Sequence, residues 1–314
     1  MATHKLESRS PESNFHGWIY TCEAFWILTW LLCILLLILA CVRSPNQTEP
    51  KPKLQWISWF KASMAAWTVF LTSEALTFIL ISVTNNMDSS ASEDSPTHKR
   101  LFNATIYLRP VGEFLRDAAL VPVFITLLYL GLDITEAQSR PVRRSSGVVL
   151  KTWGFLLAGV LFALVVVDFG LIIEVLRLQL LDQEAFILEG VDPYVKRINH
   201  LARILKPLDI TIVVLFEVAA LTSLIWAILV AVRGRSDSNK TPKVVRYFLV
   251  SCVLFLLERS YPLVTTLRSY LEPRREYRTS TLFLELVFEG WPVTIVLMLL
   301  LALRKERLAG SLWY

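Results

Sequence analysis

The sequence predicts an all-α polytopic membrane protein, a seven-transmembrane-helix bundle, and three observations carry that prediction. Seven apolar stretches recur along the 314 residues, each near the roughly 20 residues that cross a hydrocarbon core. Hydrophobic residues make up 54% of the chain and mean hydropathy is +0.50, so little chain remains for a separate soluble domain. Lysine and arginine collect in the segments that join the stretches, where charge stays hydrated. One membrane domain over 18–303 follows, with an N-terminal tail at 1–17 and a C-terminal tail at 304–314.

The spans are read at 18–42, 57–83, 110–132, 148–175, 208–232, 244–266 and 282–303. The first is too long for the apolar part of a signal peptide and no small-residue cleavage site follows it, so it is expected to remain as a helix. Seven spans put the two termini on opposite sides. Side A holds the N-terminus and side B the C-terminus. Basic residues favour a cytosolic side B only weakly, because side A has its own set in Lys196, Arg197, Arg203, Lys206 and Arg268. Of three glycosylation sequons, Asn103 falls on side A and Asn46 and Asn239 on side B; Asn103 is the candidate acceptor.

Between spans two and three, residues 85–100 are rich in Ser, Asp and Asn and read as a flexible loop. Between spans four and five, 176–207 reads as a long connection holding an amphipathic helix. Asp192 and Pro193 suit its first two positions. Tyr194, Ile198, Leu201 and Leu205 then recur at helical spacing, with Lys196, Arg197, Arg203 and Lys206 on the other faces. Such a helix is expected to lie at the interface on side A, either as a lid or as a plain surface helix.

Ten acids sit inside or at the edge of the spans: Glu23, Glu74, Glu113, Asp117, Asp168, Asp209, Glu217, Glu258, Glu285 and Glu289. Odd-numbered spans begin on side A and even-numbered spans end there, so all ten map to the A half. The B half is almost free of charge apart from Lys61 and Lys151, which can snorkel. Acids in hydrocarbon are costly and normally face a cavity, a partner or a substrate. Glu113, Arg116 and Asp117 fall on one side of span three and can interact. Glu285 and Glu289 repeat the four-residue step. Glu258 and Arg259 are sequence neighbours, so they are expected to point apart and to need separate partners. Two guanidiniums, Arg116 and Arg259, cannot neutralise all the acids, which leaves some protonated, hydrogen-bonded or hydrated. Pro122, Pro262 and Pro292 free backbone carbonyls close to the same layer.

Absences narrow the chemistry. His4, His16, His98 and His200 all lie outside the spans, which argues against a haem or histidine metal site within the membrane. Cys22, Cys33, Cys41 and Cys252 lack CxxC spacing and read as packing residues. No phosphate loop, dinucleotide fingerprint, nucleophile elbow or aspartate-rich magnesium motif is present, so no metal and no cofactor are expected. The net charge of +5 is ordinary for basic loops and gives no sign of nucleic-acid binding. Glu258-Arg259-Ser260-Tyr261 is similar to the E/DRY motif of rhodopsin-like receptors, but it lies in span six on the N-terminal side and no NPxxY follows in span seven.

A carboxyl out of water can act as a general acid, and aromatic faces stabilise a cation. Glu113, Asp117, Glu258, Glu285 and Glu289 are the candidate proton donors. Arg116, Arg259, Phe114, Tyr261, Phe288 and Trp291 are the candidate substrate or cation contacts. The layout of seven helices, short loops, intramembrane acids and no metal motif resembles the fungal membrane-integral terpene cyclases of meroterpenoid pathways. In one branch of that group an early-helix acid follows a tryptophan, whereas Glu74 here follows Ser73. The resemblance implies cyclisation of a lipophilic, prenylated and epoxidised small molecule in the endoplasmic reticulum or another endomembrane, with membrane lipid as the surroundings. A receptor and a proton-coupled transporter or lipid exporter remain the alternatives.

Overall fold

The computed structural model describes residues 11–42, 55–88, 96–138, 145–185, 192–237, 243–271 and 284–308, and among these it is entirely helical. The helices are α1 (Pro11–Val42), α2 (Gln55–Asp88), α3 (Pro96–Gln138), α4 (Ser145–Ala185), α5 (Asp192–Asp237), α6 (Lys243–Leu271) and α7 (Trp291–Leu308). A single π-helical turn, Leu286–Gly290, leads into α7. All seven are long and apolar enough to cross a membrane, so the chain is a polytopic membrane protein. Contacts confirm the alternation of direction. Glu23, early in α1, meets Ser82, late in α2, while Arg304, late in α7, meets Ala40, late in α1.

The third helix is the centre of the bundle and packs against α2, α4, α5 and α6. Two thirds (67%) of its most apolar window is buried, against 17% for α4, which lies at the periphery. Leu120, Phe124, Leu127, Leu130 and Ile134 recur at helical spacing as the buried face of α3. On α4 the faces separate the other way. Val149, Trp153, Leu156 and Val160 are exposed to the lipid, and Ala158, Leu161 and Val165 turn inward. In α5 the completely buried Ala219, Ala220 and Ala227 provide the small-residue surface that lets α6 and α3 approach closely.

Many hydroxyls inside the spans are absorbed by their own helices, whereas those of Ser73 and Ser251 are buried without a hydrogen-bond partner among the described residues. Thr29, Thr68, Thr126, Ser223 and Thr294 each donate to the carbonyl four residues earlier, at 2.7–2.9 Å. In hydrocarbon the alternative is an unsatisfied group, so the back-bond also marks where no water is needed. Thr294 additionally accepts from the Trp67 indole at 3.1 Å and lies 3.8 Å from the Cys33 thiol, joining α1, α2 and α7 at mid-depth. Cys22, Cys33 and Cys252 are free and buried, in keeping with a packing role, while Cys41 is exposed.

Several expectations change. The stretch 176–207 is not one long connection, because α4 runs on to Ala185 and α5 begins at Asp192. The amphipathic segment is therefore no separate lid: it is the first four turns of α5, continuous with the span through Pro207. Proline removes one bond, and the neighbouring turns carry the helix on. Likewise residues 85–88 and 96–100 are helical, so of the expected loop only 89–95 lies outside the described residues. Asn103 consequently stands exposed on the first turns of α3 rather than in a loop. The B half is also more polar than the sequence suggests. Arg304 is buried there and donates to the Ala40 carbonyl, which a span ending at 303 excludes. Lys151 donates to Gln55 at 2.9 Å and lies over the Tyr129 ring at 5.1 Å.

Candidate functional site

Five charged side chains from α3, α6 and the π turn form one network in the A half. Arg116 pairs with Glu289 and donates to Asp117 Oδ1 at 3.3 Å. Arg259 pairs with Glu258 through two nitrogens and donates to the same Asp117 oxygen at 3.3 Å. Asp117 thus bridges two guanidiniums that each already hold another carboxylate. Burial grades along the network: the Glu258 side chain is 0% exposed and Arg259 2%, whereas Asp117 is 20% exposed. The pair of Glu258 and Arg259 is sealed, and Arg116 and Asp117 on α3 are the more accessible part.

Local structure accounts for the geometry. Glu258 and Arg259 do not need separate partners, as their 100° separation on a helix suggested. The long arginine side chain folds back on its own neighbour, since in a dry interior the nearest opposite charge outcompetes a more distant one. Phe216 of α5 covers the other side of Arg259, with 4.9 Å from guanidinium to ring centre. Glu289 reaches Arg116 from within the π turn, where the Trp291 amide bonds the Leu286 carbonyl in the wider π pattern. Pro292, which has no amide to give to the Phe288 carbonyl, stands directly after that turn. Gly290 in the same turn lets the Trp26 ring of α1 come close: an added Cβ would lie 3.3 Å from it.

The remaining acids surround this network. Glu217 of α5 accepts from the Ser260 hydroxyl at 3.0 Å, and its other oxygen is buried without a hydrogen-bond partner among the described residues. Asp168 of α4 has one such oxygen too. The Glu74 carboxyl lies directly against the α3 backbone at Gly112, in space that any side chain at 112 would fill. Glu23 accepts from Ser82 at 2.6 Å between α1 and α2. Asp209 is exposed.

Glu113 departs from the expected grouping. It turns outward, half exposed, and faces Arg109 at 3.5 Å, while Arg116 and Asp117 turn toward α6 and α7. A four-residue step drifts by 40° around a helix, enough here to put one acid outside and the other inside. Of the aromatic candidates, Tyr261 and Phe288 meet each other, while Phe114 and Trp291 meet rings outside the candidate set. Tyr261 stacks on Phe288 with centroids 5.4 Å apart, Phe114 stacks on Phe169 at 4.5 Å, and Trp291 meets Phe25 edge-on at 6.0 Å. Sequence reasoning had no signal for the Asp117 bridge or the Ser260 to Glu217 bond, because both depend on which helices are neighbours. Among the described residues no group of three or more His, Cys, Asp or Glu has the arrangement of a metal site. No protein-family model matches the chain, and neither does any curated protein or solved structure.

Proposed function

We propose that this protein is a proton-coupled membrane transporter of a lipophilic solute, with Asp117 as its proton-binding group. The observation that carries the reading is the single Asp117 oxygen shared by Arg116 and Arg259. Those two cations are matched by Glu289 and Glu258, so the five groups carry one excess negative charge when Asp117 is ionised. A proton on Asp117 makes the network neutral and leaves both tight pairs in place. It also neutralises the carboxylate that both guanidiniums share, so the ion pair from Asp117 of α3 to Arg259 of α6 is lost. Proton binding is thereby tied to helix separation, the step a coupled transporter requires. The other charged groups around Asp117 are Glu113 and Arg116 on its own helix, Asp168 of α4, Asp209 of α5, Glu258 and Arg259 of α6, and Glu289 of the π turn.

The reading is tested in proteoliposomes under an imposed pH gradient, with a fluorescent phospholipid analogue and a lipophilic amine dye as trial solutes. Gradient-dependent movement of either is expected. Asp117→Asn should abolish the dependence on the gradient while the protein still elutes as a single folded species. Movement of both solutes that ignores the gradient rules the reading out.

One observation favours the cyclase instead. Glu258 and Glu289 are each taken up by an arginine of the network. Glu74 lies outside those pairs, with its carboxyl against the α3 backbone at Gly112, and is the donor this reading assigns. In that case microsomes holding the protein convert a prenylated epoxide to a cyclic product without added metal or nucleotide, and Glu74→Gln stops turnover. Full turnover in Glu74→Gln excludes this acid as the donor.

A further inference from the structure

We propose that the outward arc of α5 between Lys196 and Lys206, together with Arg177 of α4, binds the headgroups of anionic phospholipids on side A. The argument is independent of the transport reading and rests on a different part of the molecule. Over its first four turns the basic residues of α5 face outward, with Val195 and Ile204 as exposed apolar residues among them. Ile198, Leu201, Ala202 and Leu205 are partly buried against the protein, whereas Lys196, Arg197, His200, Arg203 and Lys206 are all exposed. At 100° per residue the exposed basic groups share one half of the helix surface, and Asp209 falls on the opposite half. The arc carries no acidic residue.

Glu174 of α4 fixes this arc in place. Its carboxylate accepts from Arg177 and from Arg197, each at 3.0 Å, which ties the beginning of α5 to the end of α4. Two guanidiniums on one carboxylate leave a positive charge over, and both arginines remain about 60% exposed, with side-chain values of 59% and 61%. Their unused N–H donors suit phosphate oxygens.

Height along the helix selects a lipid as the occupant. The apolar part of α5 after Pro207 is itself long enough to fill the hydrocarbon core. At about 1.5 Å per residue, Arg203 and Lys206 then lie within roughly 10 Å of its edge, at headgroup level, with Arg197 and Lys196 above them. A membrane surface is thus the anion that these side chains meet first. Each basic side chain near an anionic surface strengthens binding by about fivefold.

The test uses the purified full-length chain, loaded with equal amounts of phosphatidylserine and phosphatidylcholine and partly delipidated. The lipid retained is counted by native mass spectrometry. Phosphatidylserine is expected to be retained preferentially, with the preference falling as salt rises. The triple variant Lys196→Gln, Arg203→Gln, Lys206→Gln leaves the Arg197 to Glu174 tie intact and should lose most of the preference. The charge-preserving Arg203→Lys should keep it. Equal retention of the two lipids, a preference that salt does not weaken, or a triple variant that retains phosphatidylserine like the parent overturns the proposal. If the triple variant does not fold, the salt titration of the unaltered protein still decides.

Discussion

Glu258 and Arg259 are sealed from solvent and satisfy one another, and for such a pair the cost of losing one member exceeds the worth of the pair. Glu258→Gln leaves a buried guanidinium with Asp117 as its remaining charged partner and should destabilise the protein by about 3–5 kcal/mol. Thermal unfolding in detergent reads this as a large drop in melting temperature, and adding Arg259→Gln should recover part of it. Asp117→Asn should cost much less, because Arg116 and Arg259 each keep a carboxylate. That contrast between neighbouring acids is invisible in the chain. The sequence identifies all five members of the network as costly intramembrane charges, but it assigns Glu113 to the group and separates Glu258 from Arg259. Both errors come from reading one helix at a time, while partners are chosen by the reach of arginine and by the helices opposite.

Glycine and proline decide how closely the helices meet. At Gly131 an added Cβ would lie 2.8 Å from both Trp226 of α5 and the buried Phe248 of α6. Gly131→Ala should therefore cost about 1–3 kcal/mol through overpacking, seen as a lower melting temperature. Gly159 and Gly170 on α4 have open space at the same position, so alanine there should leave the melting temperature unchanged or raise it slightly. Apolar run length was enough to place the centre of every helix. It failed at the ends, where α3, α4 and α5 continue several turns into polar sequence, because backbone hydrogen bonding persists after the apolar signal stops. Pro292 hinted at an irregularity, yet its form, a π turn that aims Glu289 at Arg116, depends on packing against α1 and α6.

In the assembled bundle α3 is surrounded and α4 is a peripheral helix, held mainly by α3 and α5. Val166 on its outer face is 43% exposed and faces lipid. Val166→Arg should oppose insertion by about 2.5–3.5 kcal/mol, measured as reduced membrane integration, whereas Val166→Leu should integrate normally. The seven-helix architecture was fully legible from hydrophobicity, because a bilayer imposes length and composition on every span. The order of helices around α3 was not, since lipid-facing and protein-facing surfaces are equally apolar. One consequence follows for α7. It is pinned at one end by the pair between Glu289 and Arg116, at the other by Arg304 on the Ala40 carbonyl, and between them by Thr294, which gathers Trp67 and Cys33. A rod fastened at both ends and resting on a central support rocks only when one fastening lets go.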